Sequence, residues 1–400
     1  MFQGVVMKRE AIYTNAEGVP GLIADGQEWN FHDSDTGEHL HGLHPYPAKF
    51  IPQIPRKAIK LWTKPGELVY DPFCGCGTAL LEARLMGRPS IGVDNNAVAC
   101  LVSEAKTAAY SVRDIRMVAS FLATLDRKLA MLKPRNDLIP KNDNFLYWFS
   151  VPVLERLSAI KGLVLRQPEP LRTLLLAVFS SIIIRVSYQD SDTRYAKIER
   201  VVQPEKVDTA FVAKVGDVVK RLRSVPAVSS VASVSVYQAD SRRVGFIRDS
   251  TVSLIVTSPP YLNAYDYHKY HRQRLHWIDG DVALARDLEI GTHDEFTRPN
   301  ATPNAYFEDM DACFGEWERV LRPGGRCLVV IGDAIVSKKP VRVADAFMEL
   351  MNRRGLTLER HWIRELHATS RAFNVRNSRM THEHVLLFRK EARAKPLNVP

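Results

Sequence analysis

The residue types best suited to chemistry stand in the stretch Thr257-Ser258-Pro259-Pro260-Tyr261. It follows the short, β-branched run VSLIV, which predicts a buried strand. Because prolines cannot donate ladder hydrogen bonds, this strand must end near Ser258. The turn then presents a hydroxyl, backbone carbonyls and an aromatic ring at the carboxyl edge of a sheet, where open α/β sheets bind ligands. A proline-rich turn with a packing tyrosine is the alternative interpretation.

A second candidate site is a glycine-containing loop between two predicted strands. A strand over 68–70 leads into the loop DPFCGCGT and a helix is predicted over 79–86. The next strand ends in Asp94. Gly75 and Gly77 let a ligand approach the backbone, and an acid at Asp94 can accept hydrogen bonds from both ribose hydroxyls. This unit predicts a nucleoside site.

The loop lacks the features that bind phosphate. It has neither a third glycine nor a Gly-Lys-Ser or Gly-Lys-Thr sequence. A dinucleotide-dependent dehydrogenase is therefore disfavoured. A nucleoside cofactor without a phosphate fits better, and S-adenosylmethionine is the common one.

Positive charge is concentrated in two segments of the chain, whose net charge is +10. Residues 103–230 hold 21 Lys and Arg against 13 Asp and Glu, and residues 361–400 hold 8 against 3. The rest of the chain is slightly acidic. This distribution indicates polyanion contacts built onto a nearly neutral core.

The cysteines and the apolar stretches of the sequence indicate the cellular compartment of the protein. Five cysteines without a CxxC pair favour a reducing environment. The N-terminus lacks the pattern of a signal peptide, and the longest apolar stretch, 174–184, is too short to span a bilayer. These features predict a soluble cytoplasmic protein without a membrane partner. No metal site is predicted, because His268, His271 and His276 lack partners at a recognisable spacing.

The remaining pattern predicts an α/β fold with a helical insertion. Residues 1–40 form a polar N-terminal arm, 41–102 and 231–392 carry the α/β pattern, and 103–230 are mostly helical, basic and longer than an ordinary crossover. Further strands and helices are predicted along the chain: strands over 90–93, 233–238, 326–331, 356–362 and 384–388, and helices over 51–62, 112–132, 145–165, 207–222 and 307–321, the last stopped by RPGG.

Several of these motifs together resemble the amino-group DNA methyltransferases that use S-adenosylmethionine. They are DPFCGCGT, GVDNN, a strand before Asp240, TSPPY and LRPGG. The segment HPYPAKF is similar to the one that those enzymes place beside the methionine end of the cofactor. The resemblance covers roughly residues 40–390 and implies a Rossmann-like, seven-stranded methyltransferase sheet. Serine before the two prolines resembles the cytosine-N4 branch, whereas the adenine-N6 branch more often carries Asp or Asn.

The resemblance implies roles for individual residues. The implied cofactor-binding residues lie in four segments: His44, Pro45 and Lys49; Asp71, Pro72, Phe73, Gly75, Gly77 and Thr78; Asp94 and Asn95; and Asp240 and Ser241. The first segment would close over the methionine tail, and Thr78 would help to hold the cofactor's carboxylate. Asp94 would take the ribose hydroxyls and Asp240 would face the adenine amino group. The implied catalytic turn is Ser258, Pro259, Pro260 and Tyr261.

This turn suits transfer to an exocyclic amino nitrogen, whose lone pair is delocalised into the base. The Ser258 hydroxyl and the Pro259 carbonyl could accept its hydrogen bonds and localise that pair. The nitrogen would then attack the sulfonium methyl directly, without a metal. The target base would have to be flipped out of the duplex and stacked on Tyr261. Methylation of cytosine carbon 5 would need a nucleophilic cysteine after a proline, which this sequence lacks.

Double-stranded DNA is the predicted macromolecular partner, with a cognate restriction endonuclease in a restriction-modification pair. The basic insertion is the leading candidate for target recognition, and a solvated helical face is the alternative. The predicted DNA-binding residues lie in three segments: Arg194 and Arg200; Tyr267, His268 and Arg272; and Arg371, Arg376 and Arg379.

Three other functions stay open at the level of the sequence. The first is an adenine-N6 DNA methyltransferase. The second is an RNA or tRNA amino-group methyltransferase, which is disfavoured because only about 66 residues precede the first strand of the α/β pattern. The third is a DNA-binding protein with an inactive methyltransferase fold, against which the intact loop and turn argue.

Overall fold

The computed structural model describes residues 11–14, 20–25, 27–141, 144–225, 232–297, 301–366 and 381–391. Its strands, in chain order, are β1 Ala11–Thr14, β2 Pro20–Asp25, β3 Val69–Asp71, β4 Ser90–Asp94, β5 Gln189–Ser191, β6 Arg194–Lys197, β7 Val234–Gln238, β8 Val252–Thr257, β9 Leu321–Ile331, β10 Ala334–Val336, β11 Lys339–Val341, β12 Leu356–Glu365 and β13 His382–Lys390.

The α-helices of the described residues are, in the same order, α1 Gln53–Trp62, α2 Thr78–Leu85, α3 Ala97–Thr107, α4 Val112–Ala123, α5 Leu125–Ala130, α6 Phe145–Trp148, α7 Val151–Leu165, α8 Leu171–Ile182, α9 Pro204–Ser224, α10 Tyr267–Tyr270, α11 Arg272–Trp277, α12 Val282–Asp287, α13 His293–Phe296, α14 Asn304–Val320 and α15 Val343–Arg353. Short 3-10 turns lie between some of these elements: Asn136–Leu138 between α5 and α6, and Ile184–Val186 between α8 and β5. No helix among the described residues is both long and apolar enough to cross a bilayer.

The chain forms two compact units, each built from separate segments. The first takes its described residues from 1–34, 242–265 and 291–400. The second takes them from 35–241 and 266–290. Each unit is therefore held together by contacts between residues that are distant in the sequence.

In the first unit, six strands pair in the order β1, β2, β12, β13, β9, β8. β8 and β9 are parallel, whereas β13 pairs antiparallel with both β9 and β12. All six residues of β8 are buried, as expected for a parallel strand covered on both faces. Helices α14 and α15 pack beside β9 and β12.

In the second unit, β3, β4 and β7 are parallel neighbours, and α2 connects β3 to β4. One buried core joins α2 and α3 to the helices α4 to α9. It includes Leu81 of α2, Phe179 of α8 and Phe211 of α9. The helices of residues 103–230 thus share their hydrophobic core with the helices that flank the glycine loop.

The predicted α/β fold class is confirmed, and each of the seven predicted strands is present among the described residues. Two predicted helices are divided. The helix predicted over 112–132 breaks at Thr124, whose ψ angle of 1° is not helical. The helix predicted over 145–165 breaks at Phe149, whose backbone is extended. β9 begins at Leu321 and so includes the sequence RPGG, where its pairing with β8 shifts register in a bulge.

The shared core of the second unit predicts a large effect of truncating Phe211, whose side chain is fully buried. Phe211→Ala leaves a cavity, and we expect the free energy of unfolding to fall by about 3 to 5 kcal/mol. Val201 is 82% exposed and supplies the control, since Val201→Ala should change that energy by less than about 0.5 kcal/mol. Denaturant unfolding followed by circular dichroism measures both, and equal effects would contradict the assigned packing.

Candidate functional site

The glycine loop of the second unit is held by close backbone packing. Gly77 is the N-cap of α2 and lies in the left-handed region at φ +72°. A Cβ at this position would stand 2.7 Å from the Ser103 hydroxyl oxygen and 3.0 Å from the Ser103 Cα. The same hydroxyl donates a hydrogen bond to the Gly75 carbonyl at 2.8 Å. Helix α3 therefore approaches the loop so closely that only glycine fits at position 77.

Asp94, at the end of β4, joins the loop to the next helix. Its Oδ2 accepts a hydrogen bond from the Gly75 N–H at 2.9 Å, and its Oδ1 accepts one from the Asn96 N–H at 2.9 Å. Burial raises the pKa of Asp94 to about 6, although both backbone donors favour the ionised form. The negative charge of Glu289 raises it further. The Asp94 carboxyl group therefore holds its proton to a higher pH than an ordinary aspartate does.

Other predicted cofactor residues meet at the same place within the second unit. The Ser241 hydroxyl, which follows β7, donates to the Pro72 carbonyl. The Phe73 N–H donates to the Asp71 carboxylate at 3.2 Å, and Thr78 is buried at the start of α2. Two more flank the strand ends: Asn95, whose carbonyl accepts from the Gln238 side chain at 3.3 Å, and the half-buried Asp240.

The HPYPAKF segment also belongs to this unit, but its members point to different neighbours. Buried His44 lies 3.2 Å from the Ser180 hydroxyl of α8 through Nε2, and Pro45 follows it as an exposed residue. Burial, together with the positive charge of Arg274, lowers the pKa of His44 well below its usual value. Lys49 donates to the His41 carbonyl at 3.0 Å.

Tyr46 is the member of this segment that lies against the glycine loop, and the sequence analysis missed it. A Cβ on Gly75 would come within 3.5 Å of the Tyr46 ring. Tyr267 stacks on this ring with centroids 6.3 Å apart, and the His271 ring lies 4.7 Å away. The only sequence signal was an aromatic residue between two prolines. An aromatic ring, an open glycine backbone and an acceptor at Asp94 are chemically suited to a nucleoside.

The SPPY turn of the first unit is held by side chains. Ser258 and Tyr261 are partly buried directly after β8. The Tyr306 hydroxyl of α14 donates to the Pro260 carbonyl at 2.9 Å. Pro259 is buried. Tyr306 therefore fixes the end of the proline pair from a distant part of the sequence.

A carboxylate and a guanidinium extend this network. The Tyr261 hydroxyl donates to Glu383 Oε1 at 2.8 Å, and the Ser258 hydroxyl oxygen lies 3.5 Å from the same tyrosine oxygen. Arg364 pairs with the other Glu383 oxygen at 2.5 Å and donates from Nε to the Trp29 carbonyl at 3.0 Å. Burial, together with the charge of Glu383, raises the pKa of Tyr261 well above its usual value, so the phenol keeps its proton.

Among the predicted DNA-binding residues, Arg194 and Arg200 differ in their contacts. The Arg194 side chain on β6 is 73% exposed and lies 3.1 Å from Asp190. Arg200 instead donates to the Ser187 carbonyl at 2.6 Å and to the Ile184 carbonyl at 2.8 Å. The Arg200 guanidinium therefore braces the β5–β6 hairpin, whereas Arg194 extends from it.

Tyr267, which stacks on Tyr46, and the buried His268 are neighbours in α10. Their backbone N–H groups donate to the Glu289 carboxylate at 2.6 and 3.0 Å, and His268 Nδ1 lies 2.6 Å from Glu289 Oε2. Half-buried Arg272 lines a small pocket with the rings of Trp148 and Tyr195. Three predicted contacts lie outside the described residues: Arg371, Arg376 and Arg379. Within the described ranges, no group of three His, Cys, Asp or Glu side chains could hold a metal ion.

The packing at Gly77 predicts that alanine at this position lowers the free energy of unfolding by more than the strain of a positive φ alone would. Gly66 provides a matched control, because it lies at φ +85° with nothing near its missing Cβ. We expect Gly66→Ala to lower the free energy of unfolding by about 1 to 2 kcal/mol through backbone strain. Gly77→Ala should lose about 1 to 3 kcal/mol more because of the clash with Ser103. Thermal and denaturant unfolding compare the two variants, and equal losses would contradict the close approach.

The sequence profile of the DNA methylase family, N6 and N4 type, matches residues 20–105 and 252–399, which is more than half of the chain. The type II methyltransferase M.MjaII of Methanocaldococcus jannaschii is 22% identical over 422 aligned positions, covering 83% of this chain and 77% of that protein. The type II methyltransferase M.MvaI of Kocuria varians is 27% identical over 280 positions, covering 64% of this chain and 61% of that protein. The chain thus spans less than two thirds of M.MvaI.

Among solved structures, a SAM-dependent methyltransferase from Methanosarcina mazei is 9% identical, with 84% of this chain and 97% of that chain covered at a TM-score of 0.36.

The two segments that match the family profile contain the glycine loop and the SPPY turn. The chain belongs to the N6/N4 family of amino-group DNA methyltransferases.

Proposed function

We propose that this protein transfers a methyl group to the exocyclic N4 nitrogen of a cytosine in double-stranded DNA. The observation that carries the proposal is the SPPY turn, in which Tyr306 holds the Pro260 carbonyl and Glu383 holds the Tyr261 hydroxyl. Serine at position 258 supports cytosine over adenine through its resemblance to the cytosine-N4 branch.

The turn would activate the amino nitrogen by accepting its two hydrogen bonds. The Ser258 hydroxyl oxygen and the Pro259 carbonyl are the acceptors, and they draw the nitrogen toward tetrahedral geometry. Because the Pro260 carbonyl already accepts from Tyr306, it serves to fix the turn. The acceptors are therefore positioned before the base arrives, which avoids reorganisation during the reaction.

The second unit would hold the cofactor, and S-adenosylmethionine supplies an electrophilic sulfonium methyl when it is bound. Gly75 would leave the loop backbone open beside Tyr46, which would provide an aromatic wall, and Gly77 would let α3 approach the loop. The Asp94 carboxylate would accept from the ribose hydroxyls. Asp240 follows β7 and would accept from the adenine amino group. His44 and Lys49 would support the segment that closes over the methionine tail.

The β5–β6 hairpin and its surroundings would contact DNA, as part of a target-recognition region within 103–230. Arg194 is exposed on the hairpin, and Lys197 lies over the rings of Tyr147 and Tyr188 at 4.2 and 5.5 Å. Cations next to aromatic rings suit phosphate contact beside stacked bases. Arg200 would act by bracing the hairpin. The target base would be flipped out of the duplex to reach the SPPY turn.

An adenine-N6 activity is the second candidate, because the same two acceptors can activate the adenine amino group.

The related proteins M.MjaII and M.MvaI are type II methyltransferases by name, which supports modification of specific DNA sites. A cognate restriction endonuclease would then be the partner of this protein in the cell.

The proposed chemistry predicts the modified base and the residues on which it depends. Incubation of the protein with cofactor and duplex DNA should yield N4-methylcytosine by nucleoside mass spectrometry. Ser258→Ala and Tyr261→Ala should lower product formation by at least about a hundredfold, since they remove an acceptor and the stacking ring. Cofactor binding, measured by calorimetry, should be unchanged in both variants.

Each other outcome of that experiment has a definite meaning. N6-methyladenine as the only product would replace cytosine by adenine in the proposal. Methylation of structured RNA but not of duplex DNA, with salt-dependent binding to match, would move the substrate to RNA. Intact cofactor binding without any methylated nucleoside would support the inactive, DNA-binding alternative. Normal activity of both variants would overturn the assignment of the turn.

The raised pKa of Asp94 predicts that cofactor binding strengthens with pH. An ionised carboxylate accepts hydrogen bonds from ribose better than a protonated one, and Asp94 ionises above about 6. We expect the affinity for S-adenosylmethionine to fall about tenfold between about pH 8 and about pH 5. Asp94→Asn should bind more weakly and show no such dependence. Calorimetric titration across this range tests it, and a parallel pH profile in both proteins would contradict the role of Asp94.

A further inference from the structure

Three hydroxyl and carboxyl groups of the first unit form a continuous chain of polar contacts behind the SPPY turn. The Ser258 and Tyr261 oxygens are 3.5 Å apart, and the Tyr261 hydroxyl donates to Glu383 at 2.8 Å. We propose that this chain is a proton relay, through which the proton released by the target amino group reaches Glu383. The inference rests on the proposed function, because it assigns further residues to the same reaction.

The direction of the relay follows from the number of protons that each group carries. Tyr261 has a single hydroxyl proton, and it points to the Glu383 carboxylate. The Tyr261 oxygen can therefore only accept from Ser258. With its own proton directed to Tyr261, Ser258 presents lone pairs to the incoming amino group. Ser258 can thus act as an acceptor because the two groups behind it set its orientation.

Both oxygens of Glu383 have polar partners within the first unit. Its second oxygen is paired with Arg364 at 2.5 Å, and both side chains are largely buried. Arg364 is itself held by the Trp29 carbonyl. The 3.5 Å contact between Ser258 and Tyr261 is long for a hydrogen bond, and such contacts shorten when substrate completes the site.

The proposed step balances in atoms and charge. The amino nitrogen forms a bond to the methyl carbon, while the methyl–sulfur bond breaks and its electron pair stays on sulfur. The proton that leaves the nitrogen passes to the Ser258 oxygen, the Ser258 proton passes to Tyr261, and the Tyr261 proton passes to Glu383. The nitrogen ends neutral and the Glu383 carboxylate becomes a carboxylic acid, which solvent later deprotonates.

Two conservative variants separate a relay from a contact that only orients the tyrosine ring. Tyr261→Phe keeps the ring but removes the hydroxyl, and Glu383→Gln keeps a hydrogen-bond acceptor but cannot take a proton. We expect the single-turnover rate of methyl transfer to fall about a hundredfold in each, with cofactor affinity unchanged. The rate of the unaltered enzyme should show a solvent deuterium isotope effect, because protons move between oxygens in the relay. That isotope effect should disappear in Glu383→Gln.

Glu359→Gln is the matched control, because Glu359 pairs with Arg326 at 2.7 Å elsewhere in the same unit. It should leave the rate and the isotope effect unchanged. Wild-type rates in Tyr261→Phe and Glu383→Gln would overturn the relay. Slow variants that keep the isotope effect would also overturn it, since they would indicate a positioning role. Absence of amino-nitrogen methylation by the unaltered protein would instead defeat the proposed function itself.

Discussion

Pro259 and Pro260 carry no backbone N–H, so the chain that leaves β8 cannot continue a hydrogen-bonded ladder. The turn must then be held by other groups, and two tyrosine hydroxyls do so. Tyr306 donates to the Pro260 carbonyl from α14, and Tyr261 donates to Glu383 on β13. The loss of backbone donors thus makes the position of the turn depend on helices and strands that are distant in sequence.

The glycine loop, unlike the SPPY turn, is held by its own backbone donors. Its backbone N–H groups are available, and the N–H of Gly75 donates to Asp94 across the end of the neighbouring strand. Burial of that carboxylate opposes ionisation, while the two backbone donors favour it, and burial has the larger effect because the pKa rises to about 6. The carboxylate that holds the loop is therefore also one whose pKa is raised by its burial.

Local patterns were sufficient to predict the strands, the glycine loop and the turn, because periodicity, proline and glycine act within a few residues. The partners of these motifs were not predictable in the same way. Glu383 is 122 positions from Tyr261, and nothing in its neighbourhood marks it as the acceptor of that hydroxyl. Tyr46 gave a weak local signal, and its place against Gly75 depends on how α1, α2 and the preceding turn pack.

The charge counts were a poor guide to which cations are exposed, because a cation counted in a segment need not face solvent. Within residues 103–230, Lys161 is buried and paired with Asp279, and Arg200 donates to backbone carbonyls. Only cations that reach phosphates release counterions from DNA. Fewer cations of residues 103–230 are therefore exposed than the charge count indicates, and Arg194 is one of the exposed ones.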